Sequence, residues 1–408
     1  MCINTENQFH NIVDIKRGNI KNIINYLRET PFATKKEIAD ALSLSFATVS
    51  NLCNFMESQG YLVSQSDTSY GKVGRSPKNI CLRPDSCLLA AVDIHRSNKV
   101  VMRLYDLFGN MESHAEFSYK GNDIHALIEE IFQEYCLAFT EEQRKRVDGM
   151  GVAVSGIYDT ETGLIVCSEL DLFEGQPLKQ MLTDMFSISV YIENESNLCA
   201  FGIAQKMKTD NLIYIYIGEG LGIGIISDGE IIRGQRGYAS EICHVPLGLL
   251  DRKCPLCGND HCMQTDLSTY GFAEKFTGVT PVSGDHRGWE RFIKAYVNGD
   301  EHALSVVREN AYILAVSISI VVNLLDPATV TIGGISDSLF QGMNDTVKTV
   351  VSKRRGIKNA PDITFSHDDN FTETLLRGTL EMVYSKWFPN IYGVEYTIGN
   401  FLNERKFK

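Results

Sequence analysis

One histidine and three cysteines are spaced in a way that restricts how residues 244–262 can fold. In chain order they are His244, Cys254, Cys257 and Cys262. One imidazole nitrogen and three thiolate sulfurs make up the tetrahedral shell of a structural Zn²⁺, so these four side chains are predicted to converge on one ion. Two other ligand sets remain open, with Cys243 replacing His244 or His261 replacing one thiol. A loop of free cysteines is the alternative without a metal.

The cellular compartment of the protein can be predicted from the same thiols and from the apolar segments of the chain. The sequence contains 11 cysteines, and residues 1–11 lack the basic and apolar segments of a secretion signal. The apolar stretch at residues 311–325 is interrupted by polar side chains and is shorter than the roughly 18 residues of a membrane span. Clustered thiols without an export signal favour a reducing compartment. We therefore predict a cytoplasmic protein with no membrane partner.

The first 85 residues have the apolar spacing of a helix-turn-helix domain. Residues 17–27 carry apolar side chains at the i, i+3, i+4, i+7 positions of an amphipathic helix. Thr34 followed by Glu37 is a capping box that begins a second helix, and Ser45 is a cap for a third. Three short helices in this order predict a helix-turn-helix core.

Two short strands, residues 61–63 and 79–82, follow the third helix and flank a polar segment with two glycines and an arginine. This arrangement predicts a winged domain whose third helix enters the major groove of DNA and whose wing reaches an adjacent minor groove. The predicted DNA contacts are Ser45, Ala47, Thr48, Asn51, Asn54 and Arg75. The alternative is a helical dimerisation or peptide-binding domain with a solvated polar face.

The charge of the chain is distributed unevenly. The net charge is −12, which by itself argues against a nucleic-acid partner. Residues 1–85, however, contain 10 Lys or Arg against 8 Asp or Glu, so this part is mildly basic and the remainder is strongly acidic. Since no lysine or arginine lies between Lys36 and Lys72, phosphate contacts are expected from helix N-termini, hydroxyls and the wing. The affinity of one monomer should be modest, which favours a homodimer or homotetramer.

Beyond residue 85, strand patterns alternate with helical patterns, which indicates an α/β body. Two such blocks begin at residues 88–94 and at residues 212–217, so two lobes with a ligand cleft between them are predicted. The glycine-rich segment at residues 218–224 either brings backbone amides to a phosphate or serves tight turns and close packing. The carboxylate of Glu219 within it would repel a phosphate.

Several motifs of this body resemble the ROK family of repressors and sugar kinases. The family's Gly-Glu-Ile-Gly-His signature is matched by residues 240–244, its cysteine-rich zinc motif by residues 254–264, and its Glu-Asn-Asp-x-Asn segment by residues 193–197. Residues 323–327 resemble the segment that adjoins the adenosine in family kinases. The resemblance extends from the winged head to about Leu380. It implies the two-lobed, actin-like (ribonuclease H-like) fold of the ROK sugar kinases.

The resemblance also implies a division into domains. Residues 1–85 would form the winged helix-turn-helix domain, residues 86–205 the first α/β lobe, and residues 206–386 the second lobe with the zinc loop. A C-terminal helix near residues 387–405 is expected to complete the first lobe.

Three departures from the family pattern concern catalysis. Family kinases have Asp-x-Gly-Gly-Thr where residues 93–97 here read Asp-Ile-His-Arg-Ser, so both phosphate-binding glycines are missing. Glu219 replaces the threonine of the second phosphate loop, and Glu195 replaces the catalytic aspartate. The extra methylene of Glu195 would displace the base by about 1 Å, which proton transfer tolerates poorly. The resemblance therefore implies a kinase fold that does not transfer phosphate.

The sugar-contacting positions of the family can be matched residue by residue. Their counterparts are Asn194, Glu195, Glu241, His244, Gln264 and Glu169, and besides Glu195 the two last-named residues differ in type from the family pattern. All are polar and suit hydrogen bonds to a sugar or a sugar phosphate. The leading prediction is a repressor of carbohydrate genes that binds operator DNA and senses such a ligand. The alternatives are an active ATP-dependent, zinc-containing sugar kinase and a DNA-binding protein without an effector.

Overall fold

The computed structural model describes residues 5–66, 78–96, 99–119, 121–168, 170–282, 284–356 and 360–387. The N-terminal head consists of α1 (Thr5–Glu29), β1 (Ala33–Thr34), α2 (Lys35–Ala41), α3 (Phe46–Ser58), β2 (Leu62–Ser66) and β3 (Lys78–Leu82). β3 pairs antiparallel with both β1 and β2. The predicted order of three helices and a two-stranded wing is confirmed. The tip of the wing, with Arg75, lies outside the described residues.

Side-chain caps begin α2 and α3 at the predicted residues. The hydroxyl of Thr34 accepts the backbone N–H of Glu37 at 3.2 Å, and the Glu37 carboxylate accepts the backbone N–H of Thr34 at 2.7 Å. Ser45 Oγ accepts the backbone N–H of Thr48 at 3.1 Å. These bonds satisfy amide groups that have no partner inside a helix, and so they fix where each helix starts.

The first lobe is built on a mixed five-stranded sheet in the order β10–β7–β4–β5–β6. Its strands are β4 (Leu88–Arg96), β5 (Lys99–Tyr105), β6 (Met111–Phe117), β7 (Val147–Val154) and β10 (Ser189–Asn194), with the small hairpin β8 (Ile157–Tyr158) and β9 (Ile165–Cys167) beside it. Its helices are α4 (Ile124–Ala138), α5 (Glu141–Arg146), α6 (Leu178–Phe186) and α7 (Glu195–Met207). β4, β7 and β10 run parallel, and their carboxyl ends face the second lobe.

The second lobe has a five-stranded sheet in the order β13–β12–β11–β14–β15. Its strands are β11 (Leu212–Ile217), β12 (Leu221–Ser227), β13 (Glu230–Ile231), β14 (Thr329–Gly333) and β15 (Thr364–Asp368). Its helices are α8 (Met263–Leu267), α9 (Thr269–Thr277), α10 (Arg287–Val297), α11 (Glu301–Leu325) and α12 (Asp337–Arg354), and the last helix, α13 (Phe371–Lys386), follows β15. The two sheets agree with the predicted α/β class.

Among the described helices, α11 is long and apolar enough to cross a membrane by length and composition alone. Its most apolar window is 67% buried inside the protein, where it packs beneath the second sheet with Ala311, Leu314 and Ile318 in the core. That burial is the behaviour of a core helix in a globular domain.

Two helices, α7 and α13, cross where the two lobes meet, and glycine residues allow them to approach closely. A β-carbon on Gly202 of α7 would lie 2.9 Å from the backbone nitrogen of Gly378 on α13. A β-carbon on Gly378 would overlap the carbonyl oxygen of Leu198. On its other side, α7 packs on β12, where Gly222 and Gly224 leave no room for a side chain beside Ser196. The glycines of this strand therefore serve close packing.

α13 also joins the head to the body. Leu376, Leu380, Val383 and Tyr384 of α13 belong to the same buried apolar cluster as the inner residues of the head helices. The head residues of that cluster include Ile20, Ile23, Ile24, Leu27, Val49 and Met56. α13 falls within residues 206–386, the range predicted for the second lobe. It packs on β4 and β7, however, so we assign it to the first lobe. Apart from Trp387, the helix predicted near residues 387–405 lies outside the described residues.

Candidate functional site

A small cavity lies between the lobes, at the carboxyl ends of β7 and β10. Five of the six predicted sugar-contacting residues line it: Asn194, Glu195, Glu241, His244 and Gln264. Ser155 and Ser168 add hydroxyl groups to the same wall. The sixth residue, Glu169, lies outside the described residues. Residues that are up to 70 positions apart in sequence thus converge on one polar cleft.

Asn194 sits at the turn from β10 into α7 and orients the next residue. Its side-chain oxygen accepts the backbone N–H groups of Ser196 and Asn197 at 2.8 and 3.3 Å, so it is the cap of α7. Its amide nitrogen donates to the Glu195 carboxylate at 2.8 Å and to the Gly156 carbonyl at 3.2 Å. These bonds hold the buried carboxylate of Glu195 in the cleft, at the positive end of the helix.

Glu241 and His244 belong to a short 3₁₀ helix, Glu241–His244, that borders the cleft. His244 Nε2 lies 3.6 Å from the Glu241 carboxylate, on the cleft side. His244 Nδ1 points the opposite way and lies 3.4 Å from Cys262 Sγ and 3.7 Å from Cys254 Sγ. One imidazole ring therefore connects the cleft to the cysteine cluster.

The four predicted metal ligands form one cluster. One nitrogen or sulfur atom from each of His244, Cys254, Cys257 and Cys262 lies within 4.8 Å of the others. Of the two alternative ligands, Cys243 forms a second group of possible ligands with Glu241 and His244, and its Sγ lies 3.6 Å from the Glu241 carboxylate. His261 is not part of either group and lies near Asp251 at 4.0 Å. The cluster of one nitrogen and three sulfurs could hold a metal ion, and its donor set suits tetrahedral coordination.

The thiols of the cluster are electrostatically prepared for a cation. A hydrogen bond with Cys262 lowers the pKa of the Cys254 thiol far below its ordinary value, and the contact with His244 lowers it further. The same contact with Cys254 raises the pKa of Cys262. Because thiols bind a metal ion as thiolates, binding of an ion to this cluster would release protons.

A buried carboxylate that sequence reasoning missed anchors the segment carrying these ligands. Residues 245–262, here called the cysteine loop, turn back over α8, where Asp266 is fully buried. One oxygen of Asp266 accepts the backbone N–H groups of Leu249 and Leu250 at 3.0 and 3.2 Å. The other lies 2.6 Å from the ammonium group of Lys275. The loop is thus tied to the second lobe by protein contacts as well as by its ligand cluster.

His95, in the segment that was compared above with the family's first phosphate loop, has a buried imidazole ring. His95 Nδ1 contacts the carboxylate of Asp93, and its Nε2 accepts the Arg96 Nε–H at 3.3 Å. The ladder between β4 and β5 is irregular between Asp93 and Arg96. The ring of His95 lies 5.1 Å from the ring of Phe371, the first residue of α13.

An aromatic stack occupies the space next to this imidazole. The rings of Tyr216 on β11 and Phe371 lie 4.3 Å apart at an interplanar angle of 27°. A β-carbon on Gly218 would overlap the ring of Tyr216, and one on Gly334 would lie 2.7 Å from it. These two glycines therefore leave space for the ring of Tyr216. Tyr216 and Phe371 are 155 positions apart, and the sequence pattern alone did not connect them.

Glu219, in the turn between β11 and β12, is held by its own lobe. Its carboxylate accepts the hydroxyl of Tyr270 at 2.8 Å and lies 3.6 Å from the imidazole of His286. The Tyr270 hydroxyl in turn accepts the backbone N–H of Gly284 at 2.7 Å. The carboxylate in this turn is therefore held in position by contacts with its own lobe.

The predicted DNA-reading face of α3 is solvent-accessible. Ala47, Asn51 and Asn54 are exposed, and they lie opposite the buried stripe of α3, which consists of Val49, Leu52, Cys53 and Met56. Ser45 and Thr48 meet at the cap, with their hydroxyl oxygens 2.8 Å apart. Lys35 of α2 donates to the side-chain oxygen of Asn54 at 2.5 Å. This contact brings a positive charge to the exposed face of α3, which has no lysine or arginine of its own. Phe46 is also exposed on this helix and was not among the predicted contacts.

Comparison with known proteins agrees with both parts of this arrangement. Residues 90–374 match the ROK family, and residues 17–63 match winged helix-turn-helix DNA-binding domains. The xylose repressor of Caldicellulosiruptor bescii is 25% identical over 395 residues, which cover 91% of this chain and 96% of the repressor. The glucokinase of Halalkalibacterium halodurans is 31% identical over 201 residues, which cover 46% of this chain and 61% of the glucokinase.

The fold has a close counterpart among solved structures. A crystal structure of a ROK family transcriptional regulator superimposes with a TM-score of 0.74 at 18% identity, covering 91% of this chain and 100% of the other. The family match itself spans most of the chain, from β4 to the start of α13. The chain belongs to the ROK family, with a winged helix-turn-helix domain at its N-terminus.

Proposed function

We propose that this protein is a transcriptional repressor of carbohydrate genes that binds operator DNA through its head and a sugar or sugar phosphate in the cleft between its lobes. The observation that carries the proposal is the convergence of Asn194, Glu195, Glu241, His244 and Gln264 on one cavity behind a DNA-binding head. Two carboxylates, two amides and an imidazole in one cleft suit the hydroxyl groups of a sugar.

A packed route supports communication between the cleft and the head. Glu195 lies in the cleft at the first turn of α7, and α7 crosses α13 at Gly202 and Gly378. The opposite side of α13 contributes to the apolar cluster shared with the head. A ligand that shifts the equilibrium between two lobe arrangements would therefore shift α13 against α1. In a homodimer or homotetramer, this movement would change the spacing of two heads against two half-sites of the operator.

The contacts at the family's nucleotide positions disfavour phosphoryl transfer. His95 and Tyr216 pack against Phe371 beside the turns that the resemblance assigns to phosphate binding, and Glu219 adds a negative charge to the second of these turns. Transferring a phosphate requires close backbone approach and positive charge at those places. A catalytically inactive sensor fits these residues better than a kinase does.

Zinc is the metal we propose for the cysteine cluster, with His244, Cys254, Cys257 and Cys262 as its ligands. With four protein ligands the site would be closed and structural, without an open position for catalysis. A zinc ion at Nδ1 of His244 would fix the ring so that Nε2 faces the cleft. We further propose that the protein acts in the cytoplasm, where thiol ligands stay reduced.

The test is a gel-shift titration with the full chain and the DNA upstream of its own operon. Xylose is the first sugar to add, because a similar protein is named for it, followed by other common sugars and their phosphates. We expect one specific site and release by one ligand. The Glu195→Gln variant should bind the same site yet require a higher ligand concentration. The absence of any specific site would exclude the repressor function, and robust ADP release with a sugar and ATP would favour the kinase.

A further inference from the structure

Phe46 is the first residue of α3, and 58% of its surface is exposed. It follows the helix cap Ser45 and precedes Ala47, so it stands at the end of the helix that enters the major groove. Among the described residues, Phe46 is outside the apolar cluster that forms the core of the head. Single exposed apolar residues are ordinary on protein surfaces, but this one lies at the N-terminal end of α3, the part of a recognition helix that contacts base edges in helix-turn-helix proteins.

The chemistry of the helix face around Phe46 selects what it can recognise. α3 contains no lysine or arginine, so the common bidentate contact from those residues to guanine is missing from this helix. Its exposed residues near the N-terminus are Phe46, Ala47 and Asn51. Phenylalanine and alanine contact the C5-methyl group of thymine, and asparagine bonds to adenine. All three residue types therefore match A·T pairs.

We propose that Phe46, together with Ala47, reads thymine methyl groups in the operator half-site, and that Asn51 reads an adjacent adenine. The inference rests on the proposed repressor function and adds to it a base preference and the residue that sets it. Burial of an exposed aromatic side chain against methyl groups also contributes affinity that does not depend on phosphate contacts. This contribution matters here, because α3 has no cation of its own.

The test begins with selection of a tightly bound duplex from a random-sequence library by the full-length protein. Thymines in the selected half-site are then replaced one at a time by deoxyuridine, which lacks the C5-methyl group and keeps the same hydrogen-bonding groups. For the wild type, we expect an affinity loss of about fourfold at a contacted thymine, the effect of one buried methyl group. Phe46→Ala should bind the thymine duplex more weakly, and its discrimination against deoxyuridine should fall at the thymine that Phe46 contacts, while a thymine next to Ala47 keeps its effect.

Phe32→Ala is the matched control, because Phe32 is a second exposed phenylalanine of the head, with 62% of its surface accessible, and lies outside α3. This variant should retain the fourfold discrimination. The inference would be overturned if the affinity of the wild type did not change when the methyl groups are removed. It would also be overturned if Phe46→Ala kept full discrimination, or if Phe32→Ala lost its discrimination. Failure to select any specific duplex would instead remove the proposed DNA-binding function and the inference with it.

Discussion

The guanidinium group of Arg28, on the last turn of α1, pairs with the carboxylate of Glu381 on α13 at 3.0 and 3.4 Å. The same guanidinium lies 3.5 Å from the centre of the Tyr384 ring. The ε-amino group of Lys21 contacts the carbonyl oxygen of Ser385. A charged pair, a cation–π contact and a backbone contact thus flank the apolar surface where the head meets the body.

The Arg28–Glu381 pair should contribute modestly to stability. Its side chains are 17% and 25% exposed, so solvent screens them in part. A double-mutant cycle with Arg28→Ala and Glu381→Ala, measured by urea unfolding, should give a coupling free energy of about 0.5–1 kcal/mol. The exposed pair Arg83–Asp85 is the control, and its cycle should give about zero. Equal coupling in the two cycles would contradict this expectation.

Gly378→Ala should be among the most damaging small substitutions in the body. Its β-carbon would overlap the carbonyl oxygen of Leu198, so α7 and α13 would have to move apart. Forcing packed backbone apart costs about 1–3 kcal/mol or more, which a shift in the urea midpoint would report. Gly18→Ala on α1 is the control, because no atom lies within 4 Å of its added carbon. It should raise stability by up to about 1 kcal/mol.

Asp266→Asn should destabilise the second lobe and loosen the cysteine loop. The change leaves the ammonium group of Lys275 without one of its carboxylate partners in a buried position. Breaking a buried pair costs about 3–5 kcal/mol; we expect the lower end, because Glu309 still contacts Lys275. Asp260→Asn, in the exposed pair with Lys253, should cost less than about 1 kcal/mol. Urea unfolding of both variants, with zinc affinity measured alongside, checks the comparison.

Cys257→Ser should lose the metal, whereas Cys243→Ser should keep it. Cys257 belongs to the cluster of four, while the neighbouring thiol of Cys243 faces Glu241 instead. Elemental analysis of the purified proteins should find one zinc per chain in the wild type and in Cys243→Ser, and much less in Cys257→Ser. Because His244 reaches both the cluster and the cleft, the Cys257→Ser variant should also lose more of its sugar response than of its DNA binding. Equal zinc in all three proteins would contradict the assignment.

Restoring one family residue in each of the two phosphate turns should not create a kinase. The double variant His95→Gly, Glu219→Thr removes the imidazole and the repelling carboxylate but leaves Tyr216 stacked on Phe371. We expect ADP release at the rate of a reaction without protein, in a coupled assay across common hexoses and amino sugars. Sugar-dependent turnover by this variant, or by the wild type, would show that the aromatic stack yields to ATP.

The features that could be predicted from the sequence are those set by neighbours along the chain. The caps at Thr34 and Ser45 act within three residues, so their pattern was sufficient to place α2 and α3. The cysteine spacing likewise predicted a cluster, because its three thiols come from one short segment. α1 begins earlier than predicted, at Thr5, since the periodic apolar stripe marked only its second half.

The remaining features depend on contacts between distant parts of the chain. Asp266 reads as an ordinary surface acid until the fold brings the amides of Leu249 and Leu250 to it. Asn194 was predicted as a sugar contact from its position in a family motif, and the structure shows that its polar atoms also cap α7 and orient Glu195. Only the three-dimensional arrangement separates these supporting roles from direct contact with a ligand.

The apolar cluster that α13 shares with α1, α2 and α3 limits how the head can move. Because Leu27 and Leu380 lie in one continuous apolar cluster, the head is packed against the body and is not joined to it by a flexible linker alone. Any reorientation must slide one packed surface over another, and such shear motions are short and tend to occur between discrete arrangements. If the head rotates slightly at this interface, the displacement of its atoms increases with their distance from the interface. A shift of a fraction of a helical turn at the interface would then take α3 out of register with a groove of the DNA.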